Sequence, residues 1–538
     1  MAILSGVLLS LSWPAHGFPF LLFIALVPLL YIEDFIAKNK HNFIKASVFF
    51  YSYLTFFIWN LLTTYWIYYS TGFGAAMAVV VNSLFMAVVF HLYHLVRRTI
   101  FKSKGAYNVL IAFWICFEYL HLSWDLSWPW LNLGNGFANY PMFVQWYSIT
   151  GVFGGDIWIL AANILVYKLL LNTFGMFRSK KNALILAAGL GLWLLIPSTI
   201  SIITYYTYHE TEDPYTCVVV QPNVDPFNEK FSSMSEDMQL EKMLRLARQK
   251  VDEQTDYLIF PETALPNGVV EDEINENAHV DSLKALIQKY PKLKIVIGVS
   301  SYIYYKPHQK LSVTARYVKE GDYWYDVCNT AMYLTADAPP VMYHKSKLVP
   351  GVEMMPFPRL LKPLQKYAID LGGMAGTNAT QETRTVFGTQ EYKAKIAPVI
   401  CYESIYGGFL TGYMRNGATL IFIITNDGWW ENTPGYRQHF QYARLRAIEN
   451  RRSIARSANT GISGFINQRG DVLMQTEYWT PDVRKMTINA NSHITFYARF
   501  GDYLGNIAMI FTIALLLLQI TIIFLNKRRK IITARKKS

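Results

Sequence analysis

The chain has 538 residues, 52% of them hydrophobic and only 16% charged, with a mean hydropathy of +0.17. Soluble chains carry roughly 25% charged residues, so an ordinary soluble enzyme is excluded, and the same figures exclude a disordered chain. Four cysteines rule out a disulfide scaffold, 32 Gly and 22 Pro without a period rule out a collagen-like repeat, and the formal charge of +12 leaves nucleic acid, an anionic membrane face or an acidic substrate open until the charges are located.

Long apolar runs poor in charge occupy residues 18–36, 44–69, 74–96, 107–124, 142–171, 182–205 and 504–526. A membrane-crossing helix needs about 20 such residues, so these seven are expected to span a bilayer. Residues 2–14 form an eighth, shorter run; it lacks the basic start and A-x-A-like site of a cleaved signal peptide and is expected to be a retained short helix. Basic clusters follow alternate runs: Lys38, Lys40 and Lys45; Arg97, Arg98, Lys102 and Lys104; Arg178, Lys180 and Lys181; and Lys527 to Lys530 with Arg535, Lys536 and Lys537. The intervening turns near 15–17, 70–73 and 125–141 hold no Lys or Arg. That alternation is the positive-inside pattern, which puts both termini in the cytoplasm and the long segment before the last run outside. The basic excess therefore marks topology and the inner leaflet, not a substrate-binding surface.

Between Pro214 and Tyr497 the pattern changes to short β-rich stretches alternating with polar helices. Residues 217–223, 256–262, 294–301, 331–336, 395–403 and 419–427 read as buried strands, and 234–254 and 436–452 as helices. The expected organisation is a membrane domain of about seven helices over 1–213, an α/β domain over 214–497, and a last membrane helix with a basic tail over 498–538.

Three strand ends deliver polar residues directly after apolar runs: Glu262, Cys401 and the pair Asn426-Asp427. Strand ends are where sites collect in α/β sheets, although such a carboxylate also serves as a structural cap. A thiol needs a neighbouring base or cation to act as a nucleophile, and cysteine is equally a small core residue, the reading preferred for Cys116. Cys217 and Cys328 read as packing residues, with a disulfide between them left open. Lys345, Lys347 and Glu353 lie in one loop, and Arg444, Arg446, Glu449 and Arg451 have the spacing of ion pairs along one helix face. His91 and His94 read as interfacial, and no Cys/His spacing suggests zinc.

Together, FPETALP, YHKSKLVPGVE, ICYES and NDGWW followed by QH, RLRAIENRR and NTGISG resemble the nitrilase superfamily with its Glu-Lys-Cys triad. With the flanking apolar runs, WPWLNLG, GVFG and Asn163, the chain resembles the bacterial apolipoprotein N-acyltransferases over nearly its whole length. The resemblance implies a multi-span α-helical membrane domain plus an extracytoplasmic nitrilase-like αββα sandwich. It implies Glu262 as general base, Lys345 as stabiliser of developing negative charge and Cys401 as nucleophile, with Glu353, Tyr402 and Glu403 in support and the Tyr402 N–H in the oxyanion site. The implied reaction is a ping-pong acyl transfer from a membrane phospholipid, through a cysteine thioester, to the α-amine of a lipoprotein's diacylglyceryl-cysteine. No cofactor, metal or nucleic acid is expected; the expected partners are the bilayer, the phospholipid donor and the lipoprotein acceptor, and the expected state is a monomer in the inner membrane with its catalytic domain on the periplasmic side. The chain departs from the family's pattern at Val349-Pro350-Gly351-Val352-Glu353 (usually VPFGE), at Lys230-Phe231 (usually Lys-Trp) and at Cys328-Asn329 (often Tyr-Asn). The alternatives are a membrane-anchored nitrilase-type amidohydrolase with the same triad, and a transporter. The second is disfavoured because Glu118 and Asp156 are the main ionisable residues of the apolar runs.

Overall fold

The computed structural model describes residues 1–102, 105–174, 179–336, 338–357, 377–388 and 393–535. Lys104, Arg178, Lys536 and Lys537, expected in the basic clusters, lie outside the described residues. Two units emerge, one of residues 1–65, 73–204 and 502–538, the other of residues 66–72 and 205–501. This differs from the expected boundaries chiefly at Trp66–Gly72, which belong with the α/β unit. The reason is local: the Trp66 ring packs 4.7 Å from that of Trp430, and its indole N–H donates to Gln438 Oε1 at 3.3 Å.

In the first unit each of the eight apolar runs contains a helix. Five described helices are long and apolar enough to cross a membrane: Pro19–Lys38, Gly74–Thr99, Val152–Phe174, Lys180–Thr207 and Tyr503–Ala534. Ala2–Leu11 and Val109–Leu120 are shorter, and Ser47–Thr64 has 18 residues. The run expected from residue 142 becomes a long helix only at Val152, because Gly151 takes φ +60° just before it. Asn163 closes a helix break near Pro28: its Oδ1 accepts from Leu26 N at 2.8 Å and its Nδ2 donates to Leu22 O at 2.7 Å. His94 is buried with Nδ1 2.7 Å from Glu33, in a cluster that Arg97 joins by pairing with Glu33 and Asp34. Glu118 accepts from Trp114 Nε1 at 2.7 Å and from Leu133 N at 3.1 Å, a packed carboxyl of the kind weighed against a transport role.

The second unit holds two sheets. β1 (Pro214–Gln221), β2 (Tyr257–Ile259), β3 (Leu265–Val270), β4 (Lys294–Tyr304), β5 (Arg316–Val318), β6 (Tyr323–Leu334) and β7 (Val341–His344) form the first with β13 (Asp482–Asn489). Its main path runs β13-β1-β2-β4-β6-β5, with β3 on β4 and β7 on β6. β8 (Ile396–Ile400), β9 (Leu420–Thr425), β10 (Ile454–Ala458), β11 (Gly464–Ile466) and β12 (Val472–Gln475) form the second, in the order β12-β11-β10-β9-β8. The centres, β1-β2-β4 and β8-β9-β10, are parallel, which explains why their sequences are unbroken apolar runs: they are covered on both faces. The sheets face each other, with Tyr257 meeting Phe422 edge-on at 5.2 Å and Ser457 Oγ donating to Val220 O at 2.7 Å.

Outside the first sheet lie the helices Glu236–Ala247 and Ala278–Lys289. Each shows helical spacing of apolar residues (Leu240, Met243, Leu244, Ala247; Val280, Leu283, Ile287) and buries that stripe with Val218, Leu258 and Ile295. Each large aliphatic side chain buried there contributes about 1.5–3 kcal/mol. Ser235 and Asn277 begin these helices as side-chain caps. Beside the second sheet are Gly407–Arg415 and Pro434–Asn450. Near the end of the latter, Arg446 pairs with Glu449 at 2.7 Å, Arg444 Nε donates to Gly470 O at 2.7 Å and Arg451 lies over the Tyr208 ring. All four cysteines are free thiols, so the pairing of Cys217 with Cys328 left open above is not formed.

Candidate active site

Glu262, Lys345 and Cys401 are delivered by three strand ends of the second unit. Glu262 follows β2 by three residues, Lys345 directly follows β7, and Cys401 directly follows β8. They line one cavity of about 140 Å³ with Glu353, Asn329 and Trp429. The turn carrying Glu262 crosses β4 at Gly298, where a Cβ would lie 2.6 Å from Pro261 O and from Glu262 Cα, so only glycine lets the backbones approach this closely. Cys401 adopts φ +48°, the left-handed region that costs a non-glycine residue about 1–3 kcal/mol and concentrates at functional sites.

Lys345 Nζ lies 3.0 Å from Glu262 Oε1 and 2.8 Å from Glu353 Oε1. Asn329 Nδ2 donates to the same two carboxylates at 2.8 and 2.9 Å, and Asn426 N donates to Glu262 Oε2 at 3.1 Å. Glu353 Oε2 accepts from Val349 N at 2.9 Å, so the loop keeps its glutamate in the site although its sequence departs from VPFGE. Lys345 is 1% exposed, Glu262 6% and Cys401 8%, so these charges act on one another with little water between them. Burial raises the Glu262 carboxyl, but the Lys345 ammonium and the Asn329 hydrogen bond outweigh it and hold Glu262 below its ordinary range. Burial lowers Lys345, but Glu262 and Glu353 outweigh it and keep the ammonium charged. Burial pushes the Cys401 thiol up, and Glu262 adds to this against the pull of Lys345, so the resting pair is a carboxylate and a protonated thiol. Such a pair suits general-base activation of the thiol as it attacks.

Sequence reasoning treated Asn329 only as a departure from a pattern, yet it bridges the two carboxylates, and its Oδ1 has no partner among the described residues. Asn329→Leu is expected to lower turnover about 10²-fold and to move the acid limb of kcat/KM to higher pH, because one of the groups holding Glu262 low is gone. An unmoved limb would mean that Lys345 alone sets it. Lys230 was also missed as a site residue. Its Nζ donates to Glu262 O at 3.0 Å and Thr263 Oγ1 at 2.7 Å, and burial brings it down to about 8. Its neighbour Phe231 lines the cavity and stacks on Trp429 with centroids 6.1 Å apart, so an aromatic wall persists where the family's usual tryptophan is absent.

Glu403 is in the site's frame and not in its cavity. Oε1 accepts from Tyr343 Oη and Ser346 N, both at 2.6 Å, and Oε2 accepts from Ile400 N at 2.9 Å. It thus ties the turn bearing Cys401 to the loop bearing Lys345. Burial pushes its carboxyl up to about 7, against the hydrogen bonds from Tyr343 and from the Ile400 and Ser346 N–H groups. Glu403→Leu strands three donors at about 1–3 kcal/mol each. Thermal unfolding should show a large loss of stability, whereas an unchanged Tm would remove the bracing role. Tyr402 is buried beside Cys401, its ring edge-on to Tyr406 at 5.3 Å. Asp427 also stays out of the cavity: Arg456 and His439 pair with it, and together they hold it far below the usual carboxylate range although burial opposes this. His439, another residue sequence reasoning missed, places Nε2 2.8 Å from Ser404 Oγ and 3.2 Å from Cys401 O, under the turn that carries Cys401.

A family model for carbon-nitrogen hydrolases matches residues 219–495, which include all three strand-end residues. The chain belongs to the carbon-nitrogen hydrolase family. A second family model, for the N-terminal domain of apolipoprotein N-acyltransferases, matches residues 5–165. Relatives named apolipoprotein N-acyltransferase include one from Chlorobaculum tepidum, 29% identical over 95% of this chain and 94% of its own. Others are from Geobacter metallireducens, 27% identical over 93% and 91%, and Thermotoga maritima, 25% identical over 95% and 92%. Among solved carbon-nitrogen hydrolase structures, Saccharomyces cerevisiae Nit3 is similar at TM-score 0.35 and 14% identity, covering 52% of this chain and 93% of its own. An amidase from Nesterenkonia is similar at TM-score 0.33 and 14% identity, covering 53% and 92%. The family and the apolar helices make the chain a membrane protein with a nitrilase-like α/β domain.

Proposed function

We propose that the protein transfers an acyl chain from a membrane phospholipid to the α-amine of a lipoprotein's diacylglyceryl-cysteine, with Glu262 as base, Cys401 as nucleophile and Lys345 as electrostatic stabiliser. The observation that carries this reading is one buried cavity holding a depressed carboxylate, a fixed ammonium and a protonated thiol. Glu262 takes the Cys401 proton as sulfur attacks the ester carbonyl. The oxyanion forms against the Lys345 ammonium and the Tyr402 N–H. Collapse breaks the ester C–O bond, the departing lysophospholipid oxygen takes the proton from Glu262, and a thioester remains. The acceptor amine then attacks and gives its proton to Glu262, the C–S bond breaks as the amide forms, and Glu262 passes that proton to the departing Cys401 sulfur.

Phe231, Trp429 and Trp430 give the cavity an apolar wall suited to acyl chains. The alternating basic clusters support an orientation in the bacterial inner membrane with the catalytic unit on the periplasmic side and both termini cytoplasmic. A plain amidohydrolase is not favoured, since the named relatives match over both the membrane half and the catalytic half. The test is incubation of purified protein with phosphatidylethanolamine and a diacylated lipopeptide. Mass spectrometry should show the lipopeptide gaining one acyl chain, and no gain with the wild-type protein would sink the assignment.

A further inference from the structure

Cys328, His344 and Glu271 bring a thiol, an imidazole and a carboxylate together, their ligand atoms all within 4.8 Å of one another. The three come from separate elements of the first sheet: Cys328 from β6, His344 from the end of β7, and Glu271 from the turn after β3. Pairing aligns them. Cys328 lies opposite Ser301 of β4, His344 lies opposite Thr330 of β6, and Thr330 stands two residues from Cys328, on the same face of the strand. No spacing motif in the chain announces the cluster, because its members are 57 and 16 positions apart along the sequence.

His344 Nε2 and Glu271 Oε1 are 3.6 Å apart. That is long for a hydrogen bond but close to the roughly 3.4 Å between two ligand atoms about 2.0–2.1 Å from a tetrahedral zinc ion. His344 and Glu271 are also oriented from behind. His344 Nδ1 is 2.9 Å from Thr330 Oγ1, so an Nδ1–H donated there leaves Nε2 with a free lone pair. Ser301 Oγ donates to Glu271 Oε1 at 2.7 Å and lies 2.7 Å from Thr330 Oγ1, joining the two supports. A soft thiolate with one imidazole and one carboxylate is a donor set suited to zinc, with one coordination position left for solvent.

We propose that Cys328, His344 and Glu271 form a binding site for a zinc-like divalent cation. Binding forms a sulfur–metal bond as the Cys328 proton passes to solvent, while His344 Nε2 and Glu271 contribute lone pairs. The site has a direct route to the active centre, because Asn329 and Lys345 are the residues that follow two of its ligands. A bound cation would fix β6 and β7 together at the point where they carry the group bridging Glu262 to Glu353 and the ammonium. The proposal does not depend on which acyl donor or acceptor the enzyme uses.

The experiment is titration of the chelator-treated full chain, in detergent, with cobalt(II) as a spectroscopic probe and zinc as competitor. The expected result is one cobalt per chain, with a thiolate-to-metal charge-transfer band and tetrahedral d–d absorption, both displaced by zinc. Cys328→Ser should lose the charge-transfer band and His344→Ala should weaken binding at least about tenfold, while Cys401→Ala keeps both the band and the affinity. Zinc should raise the Tm of the wild type and not that of Cys328→Ser. If Cys328→Ser does not fold, Glu271→Gln at the partly exposed ligand serves instead and should weaken cobalt binding. Absence of the band in the wild type, its persistence in Cys328→Ser, or its loss in Cys401→Ala would overturn the site.

Discussion

Replacing Cys401 with alanine is expected to reduce acyl transfer on the order of 10⁴–10⁶-fold, the usual cost of removing a covalent nucleophile. The structure explains why no neighbour substitutes. Cys401 is held at φ +48° directly after β8, inside the cavity with Glu262 and Lys345, whereas Cys328, which also lines that cavity, lies within β6 with its thiol gathered beside His344 and Glu271, Cys217 is buried in β1 and Cys116 belongs to the other unit. The exchange removes a small side chain from a position that is 8% exposed, so the folded protein should persist and still bind lipid. The measurement is a phospholipid-dependent lipopeptide acylation assay alongside a thermal unfolding curve. Full activity in Cys401→Ala would mean that another group attacks the ester.

Glu262→Gln should cost about 10²–10⁴-fold in turnover, the range for losing a positioned general base. The amide keeps the shape and can still meet Asn329 and Asn426, but it cannot take the thiol proton. Because Lys345 and Asn329 hold Glu262 below its ordinary value of 4.5, the wild type should keep its base through neutral and mildly acidic pH and lose activity only below about 4.5. The same sign applies to stability: a depressed carboxyl contributes fully above its unfolded value, and that contribution fades as pH falls through the folded one. In Glu262→Gln the acid limb assigned to this group should vanish from the pH profile. A variant that is slow but keeps the wild-type acid limb would place the base elsewhere.

Much of this site was legible in the sequence because Glu262, Lys345 and Cys401 each follow a strand. YLIF before Pro261-Glu262 and IAPVI before Cys401 are apolar runs that end abruptly in chemistry, and such ends of parallel strands are exposed to a shared crevice. The supporting residues gave no such signal. Asn329 sits inside β6, whose first half, YWYDVCN, mixes aromatic and polar residues, so the expected strand of 331–336 is only the end of one that begins at Tyr323. β10, IARSA, is absent from the expected strands because Arg456 interrupts its apolar character, and the buried partner Asp427 that accounts for it lies 29 residues away. The family resemblance groups Glu403 with Cys401 and Tyr402 as site residues, but contacts from β7 and the Lys345 loop are what mark Glu403 as a brace. The membrane half was legible by length and hydropathy, while Trp66–Gly72 were not assigned to the catalytic unit because their partners Trp430 and Gln438 lie more than three hundred residues away.

The central claim is a covalent acyl-enzyme on Cys401 that is discharged by an amine. It is tested most directly by a two-step chase: protein mixed with phospholipid alone, digested and mapped by mass spectrometry, then a parallel sample given diacylated lipopeptide before digestion. The account expects the peptide containing Cys401 to carry one hydroxylamine-sensitive acyl group in the first sample, and that group to move to the lipopeptide amine in the second. An unmodified Cys401 peptide in the first sample, together with acylated lipopeptide in the second, would contradict it.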